Sequence, residues 1–354
     1  MSKYISYFPK IDSLRTIAVT MTLLAHFITD AGWKRIEYMN QGVYLFFTIS
    51  GFLITSILLK AKDRGNEKGK ISVVINFIIR RGLRLFPIYY LFLLALICIK
   101  YFTNLWLWND GFGIYYFTYT SNFLFFSEDI DQSSLVGHIW TLGVEEQFYI
   151  LWPWLIIFFN KKPLKYLIVF FILCGLVFSL FYIKRFPFSN YHTLGIGAFL
   201  AYINTYKVQN VFFQLINKYN PASCFLFILL FFSISQLIDH HLVYSNALFI
   251  CREIFLMLST VSLLMIAISD RKYKIISPLL NNKIMQYIGK ISYGIYLYHK
   301  PIPFFINMLC KKNNWDLPPV VLFIIYIIIT IMIAILSYKY IELFFLKLKE
   351  KFDK

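Results

Sequence analysis

Charge is scarce in this chain, and acidic charge scarcest: 18 Asp and Glu stand against 35 Lys and Arg, charged residues are only 15% of 354, and 59% are hydrophobic. That balance excludes a soluble globular domain, because one aqueous core cannot hide so much apolar surface, and the bilayer must serve as solvent. A net charge of +17 would suggest nucleic acid as partner in a soluble protein. Here the basic residues lie mainly in short connections between apolar segments, which reads as membrane topology, and no nucleic-acid partner is expected. Cysteine is also sparse. Cys98, Cys174, Cys224, Cys251 and Cys310 occur singly, without a CxxC pair or a metal-like spacing, so neither disulfides nor a metal site are expected. No Gly/Ser-rich or Pro-rich linker and no fixed-period repeat divides the chain. Residues 1–354 therefore read as a single transmembrane domain with no appended soluble domain. The first apolar stretch holds Asp12 and Arg15 and lacks a small-residue cleavage site, so it is expected to be retained as a span.

The expected fold class is all-α, a polytopic membrane helical bundle. Segments of about 20 apolar residues fall at approximately 12–30, 42–60, 86–103, 140–159, 164–183, 191–205, 221–237, 245–268, 288–309 and 317–341, ten in all. Lys60, Lys62, Arg64, Lys68, Lys70, Arg80, Arg81 and Arg84 crowd the connection after the second span. Residues 104–139, by contrast, hold Asp110, Glu128, Asp129 and Asp131 but no Lys or Arg. Positive residues stay inside, so the first of these connections is cytoplasmic and the second external. An even count then places both termini in the cytoplasm, in agreement with Lys161, Lys162, Lys165, Arg271, Lys272 and Lys274 and with the tail residues Lys347, Lys349, Lys351 and Lys354. Lys184, Arg185, Lys311 and Lys312 depart from the rule.

Ionisable residues at membrane depth are costly and point to function. Arg15 and His26 are eleven residues apart, so on a helix they share nearly one face about 16 Å apart; a snorkelling arginine and a carbonyl-bound histidine is the structural alternative. Arg81 and Arg84, three apart before Pro87, form a guanidinium fork suited to phosphate, although arginines at a cytoplasmic edge also follow from topology alone. Glu145 and Glu146 open an apolar segment together with His138, Trp140 and Gln147. They cannot face the same way on a helix, so at most one reaches a shared site. His299 precedes Pro301, which frees a backbone carbonyl as a polar partner. Arg252 with Glu253 reads as a buried ion pair, and His240 with His241 as a solvated loop. Ser50 beside Gly51 permits close helix approach, and as a nucleophile it has no base as sequence neighbour.

Five motifs in order, IDSLRTIAVTMTLLAH, GVYLFFTISGFLIT, RRGLRLFPIYY, HIWTLGVEEQFYILWP and IGKISYGIYLYH, resemble the membrane-bound acyltransferase-3 family over nearly the whole chain. The resemblance implies an O-acyltransferase of the bacterial inner membrane. Such an enzyme moves an acyl group, usually acetyl, from cytoplasmic acetyl-CoA or another acyl-CoA to a hydroxyl of a carbohydrate, such as lipopolysaccharide or another surface glycan, or of a lipid-linked sugar. The family's first-span arginine and histidine correspond to Arg15 and His26, and its paired arginines to Arg81 and Arg84. Tyr44 stands where the family often has Asp, and Thr193 near where many relatives carry an acidic residue.

On this reading Arg15, Arg81 and Arg84 hold the phosphates of the donor. His26 is the general base, oriented by Glu145 or Glu146, with His299 as a second polar contact. Ser50, Trp140 and Tyr149 are expected at the acceptor, with the aromatic stretch 104–139 stacking on sugar faces. Membrane lipid is the surrounding partner. The rival reading is a transporter that moves a glycan or lipid-linked intermediate without acyl transfer, and a weaker one is a sensor that keeps the fold without turnover.

Overall fold

The computed structural model describes residues 8–33, 41–64, 69–103, 112–124, 135–180, 188–206, 230–234, 246–269 and 276–349. Most of the seventh expected span at 221–237 lies outside the described residues. So do Cys224, His240, His241, Asp110, Glu128, Asp129, Asp131, Lys68, Lys184, Arg185, Arg271, Lys272, Lys274, Lys351 and Lys354. The described residues form helices and turns and no strand. In chain order the helices are α1 (Pro9–Asp30), α2 (Gly42–Asp63), α3 (Lys70–Thr103), α4 (Gly113–Phe117), α5 (Ser121–Leu124), α6 (Trp140–Phe158), α7 (Lys161–Leu180), α8 (Tyr191–Tyr206) and α9 (Asn246–Ile268). They continue with α10 (Ile276–Leu280), α11 (Lys283–Lys290), α12 (Ser292–Tyr298), α13 (Pro301–Lys312), α14 (Pro319–Ser337) and, after a π turn over Tyr338–Glu342, α15 (Leu343–Lys349).

Among the described residues, 6 helices are long and apolar enough to cross a membrane: Pro9–Asp30, Gly42–Asp63, Lys70–Thr103, Lys161–Leu180, Ala247–Ile268 and Pro319–Leu348. Two segments differ from the expected spans. The third helix starts at Lys70, well before position 86; Arg80, Arg81 and Arg84 interrupt the apolar run without interrupting the helix, because arginine is a good helix former whose stem lies along apolar surface. The stretch expected as one span over 288–309 is instead the broken series α11, α12 and α13. Pro301 lacks the N–H that would continue α12, so α13 restarts with that proline in its first turn.

The chain divides into two compact units, the first comprising Met1–Ala18, Val43–Val74 and Phe148–Gly289, the second Val19–Gly42, Ile75–Gln147 and Lys290–Lys354. In the first unit Leu45, Ile49 and Phe52 recur at helical spacing on α2 and pack with Ile11, Leu14, Leu200, Ala201, Val261, Leu264 and Met265. Two glycines let α2 and α8 touch through their backbones. A Cβ at Gly51 would run into the Leu194 carbonyl, and one at Gly197 into the Thr48 carbonyl, the small-residue contact by which helices associate without a hydrophobic drive between them.

In the second unit Ile88, Tyr89, Phe92, Leu93 and Leu96 of α3 pack with Tyr116, Tyr119, Val136, Ile139, Leu142 and Leu297. The Tyr89 and Tyr90 hydroxyls donate to the Tyr116 and Phe117 carbonyls at 2.7 and 3.0 Å. Tyr89 stacks on Tyr119 with ring centroids 4.1 Å apart. Gln147 of α6 donates to the Tyr119 carbonyl at 2.9 Å and to Asn122 Oδ1 at 2.8 Å, and Gly143 leaves room for this turn, since a Cβ there would lie 2.7 Å from the same carbonyl.

Candidate active site

Three histidines converge in the second unit. The ring centroid of His299 lies 5.1 Å from that of His26 and 4.7 Å from that of His138, the latter pair edge to face. His299 and His138 are buried, and His26 is half-buried. His26 and His299 were both expected at the site; His138 had been noted only as a neighbour of the glutamates.

The chain break at Pro301 explains the cluster. A continuing helix would bond the N–H of residue 301 to the Leu297 carbonyl, but proline has none. The freed carbonyl accepts instead from His138 Nε2 at 3.1 Å. One turn on, His299 Nδ1 donates to the Tyr296 carbonyl at 2.6 Å. A carbonyl can only accept, so each of these ring nitrogens carries the proton, and His138 Nδ1 and His299 Nε2 are left as lone-pair nitrogens. Both are buried, and neither has a hydrogen-bond partner among the described residues. Burial, then the nearby His299 and His26 rings, hold the His138 imidazole well below its ordinary range, so it is neutral at pH 7.

A hydroxyl relay braces this arrangement. The Tyr296 hydroxyl donates to the His138 carbonyl at 3.0 Å and meets Thr141 Oγ1 at 2.7 Å. Glu145 lies one turn beyond Thr141 on the same face of α6, and its charge acts on Tyr296. Glu146 points elsewhere. It is buried, and the charge of Arg81 acts on it. It lies in electrostatic range of Tyr89, Tyr90, Tyr119 and Tyr293. Adjacent carboxylates thus enter two environments, and Glu145 is the one associated with the histidine side.

Arg81 and Arg84 are half-buried on α3, the former with its guanidinium 5.9 Å over the Phe77 ring. Arg84 acts on Glu342, a buried carboxylate that the π turn carries inward. The turn thus brings a buried carboxyl group within electrostatic range of Arg84. Trp140 begins α6, half-buried.

The remaining expected residues lie in the first unit. Arg15 pairs with Asp12 at 3.2 Å. Tyr149 donates to Ser50 Oγ at 3.2 Å, which brings together two residues assigned to the acceptor. The Arg252–Glu253 pair is a true ion pair at 3.1 Å, but its carboxylate also accepts from His192 Nε2 at 3.0 Å. His192 was missed from sequence. Its one signal is an imidazole inside the otherwise apolar run YHTLGIGAFLAY.

Chemically, the cluster sets His26 beside two ring nitrogens, His138 Nδ1 and His299 Nε2, that are not committed to a carbonyl, an arrangement suited to accepting a proton from a hydroxyl. Among the described residues no group of three or more His, Cys, Asp or Glu side chains could hold a metal ion.

Comparison with known proteins identifies the family. Residues 8–339 match the family described as acyltransferase domain. A Staphylococcus aureus (strain COL) protein named "Putative O-acetyltransferase SACOL0978" is 30% identical over 368 residues, covering 96% of this chain and 57% of its own length. The O-acetyltransferase OatA of Staphylococcus aureus (strain NCTC 8325 / PS 47) is 30% identical over 370 residues, covering 95% of this chain and 57% of its own. The chain therefore spans little more than half the length of the curated relatives it matches. No solved structure matches it.

Proposed function

Because the chain belongs to the acyltransferase-3 family, we propose that it is a membrane O-acyltransferase that moves an acyl group, acetyl in the simplest case, from acyl-CoA to a hydroxyl of a glycan or lipid-linked sugar. The observation that carries the reading is the set of neutral, tautomerically pinned imidazoles His138 and His299 beside His26.

In this proposal the acceptor hydroxyl gives its proton to His26 as its oxygen attacks the thioester carbonyl. The C–S bond then breaks, and the leaving thiolate takes the proton back from the imidazolium. His299 and His138 line the site beside His26 with acceptor nitrogens, and Glu145 steadies the cluster through Tyr296. Arg81 and Arg84 receive the donor phosphates. Glu146 lies in electrostatic range of Arg81 and Glu342 of Arg84.

The proposed topology has ten spans, both termini cytoplasmic and the protein in the bacterial cytoplasmic membrane, with the donor entering from inside and the acceptor from outside. The support is the basic cluster between α2 and the third expected span. The test is mass spectrometry of surface glycans from cells with the protein, without it, and with His26→Ala. Loss of an acetyl-sized mass in both the deletion and the variant supports acyl transfer; an acetylated glycan in the His26→Ala cells overturns the role of His26. A second reading, transport, is favoured by the broken stretch α11 to α13, since irregular backbone at membrane depth lines cavities. It would show as unmodified glycan trapped inside the deleted cells.

A further inference from the structure

The second unit also has an open surface cavity of about 560 Å³ lined by Asn307, Cys310, Lys311, Asn314, Trp315 and Asp316. No expected site residue lies in it. We propose that this cavity is the subsite that recognises the sugar of the acceptor, a hexose-based glycan. The inference rests on the acyl-transfer reading for the identity of the acceptor, but the binding it describes is separable from catalysis.

The local sequence holds the aromatic wall rigidly. Helix α13 ends with Asn314 in the left-handed region, φ 55°, a conformation asparagine tolerates. The Trp315 N–H returns to the Cys310 carbonyl at 2.9 Å and the Asn314 N–H to the Lys311 carbonyl at 3.3 Å, the paired bonds of a Schellman ending. Three residues later Pro318 and Pro319 start α14. Trp315 is thus held between two helix ends, yet its side chain is 59% exposed. More than half of the indole is thus left open in a fixed turn. Beside Asp316 and two asparagines it has the composition that reads sugars: an apolar ring for the C–H face, and short acceptors and donors for hydroxyls.

One wall residue of the cavity is tied to the end of α1. Asn307, on its wall, donates to the Asp30 carbonyl at 3.3 Å and accepts from the Tyr326 hydroxyl at 2.5 Å. Asp30 ends α1 four residues after His26, about 6 Å along the helix axis. Phe27 fills the space between, its ring centroid 5.6 Å from Tyr326 and 6.4 Å from His299.

Cys310 supplies the test. In the full-length protein with Cys98, Cys174, Cys224 and Cys251 replaced by Ser, Cys310 is labelled with a membrane-impermeant maleimide in intact cells. Labelling is repeated with short oligosaccharides of N-acetylglucosamine, glucose or galactose. The expected result is labelling from outside, slowed several-fold by at least one oligosaccharide, with the protection lost in Trp315→Ala. Absence of protection by all three, labelling only after permeabilisation, or protection that persists in Trp315→Ala would each overturn the proposal. In membranes supplied with acetyl-CoA and the protecting oligosaccharide, Asp316→Asn should raise the acceptor KM about tenfold with a smaller change in kcat. The opposite split, kcat lost at constant KM, would overturn it. Failure of the acyl-transfer reading shows separately, as no thiol released from acetyl-CoA by the wild-type membranes while Cys310 protection remains.

Discussion

His26 shares a half-buried position with two imidazoles whose own protons are committed to backbone carbonyls, so any proton that the cluster accepts goes to a nitrogen not already bonded. Removing His26 should abolish glycan acetylation while leaving the protein in the membrane fraction at its normal level, as read by immunoblot beside the mass spectra. At the other buried charge centre, Glu253 accepts from both Arg252 and His192. Glu253→Gln leaves the buried guanidinium without its anion, a change that typically costs about 3–5 kcal/mol. The expected outcome is a clear drop in the thermal midpoint of the detergent-solubilised protein; an unchanged midpoint would show that the pair is solvated.

At the scale of elements, the α2–α8 contact depends on the absence of side chains. Gly197→Ala puts a methyl against the Thr48 carbonyl; overpacking of this kind costs about 1–3 kcal/mol and should lower both yield and midpoint. The same alanine at Gly32, where nothing lies within 4 Å of the added carbon, is strained by its backbone, φ 98°, rather than by crowding. The link between α6 and the end of α12 has a pH signature. His138 is held below its ordinary range in the folded protein, so as pH falls through the unfolded value of about 6.5 the unfolded chain binds a proton that the folded chain does not. Stability is therefore lost on the acid side of about pH 6.5. His138→Gln, which can still donate to the Leu297 carbonyl, should flatten this part of a midpoint-against-pH curve.

At the scale of the whole molecule the open question is orientation. Lys60 and Lys62 in the last turn of α2, Arg64 after it and Lys70 at the start of α3 cluster at one connection, and the proposed topology puts it in the cytoplasm. A cysteine placed at the exposed Lys70 of a protein otherwise free of cysteine should resist an impermeant maleimide in intact cells and react after permeabilisation. Labelling in intact cells would invert the topology and with it the side from which the donor enters.

The membrane class, the all-helical fold and most helix positions were legible in the sequence because they follow from composition and from runs of apolar residues, which need no partner to be recognised. Family membership was legible too, since its five motifs are local strings. The carbonyl freed by Pro301 was also foreseeable, because a missing N–H is a property of one residue. What accepts or donates across the fold was not. That His138 would claim that carbonyl, that it is Glu145 and not Glu146 that acts on Tyr296, that His192 would join Glu253, and that Asn307 would tie a cavity to the end of α1 all depend on which helices become neighbours. Hydrogen bonds and charges act over a few ångströms between residues far apart in the chain, and only the tertiary structure determines those separations.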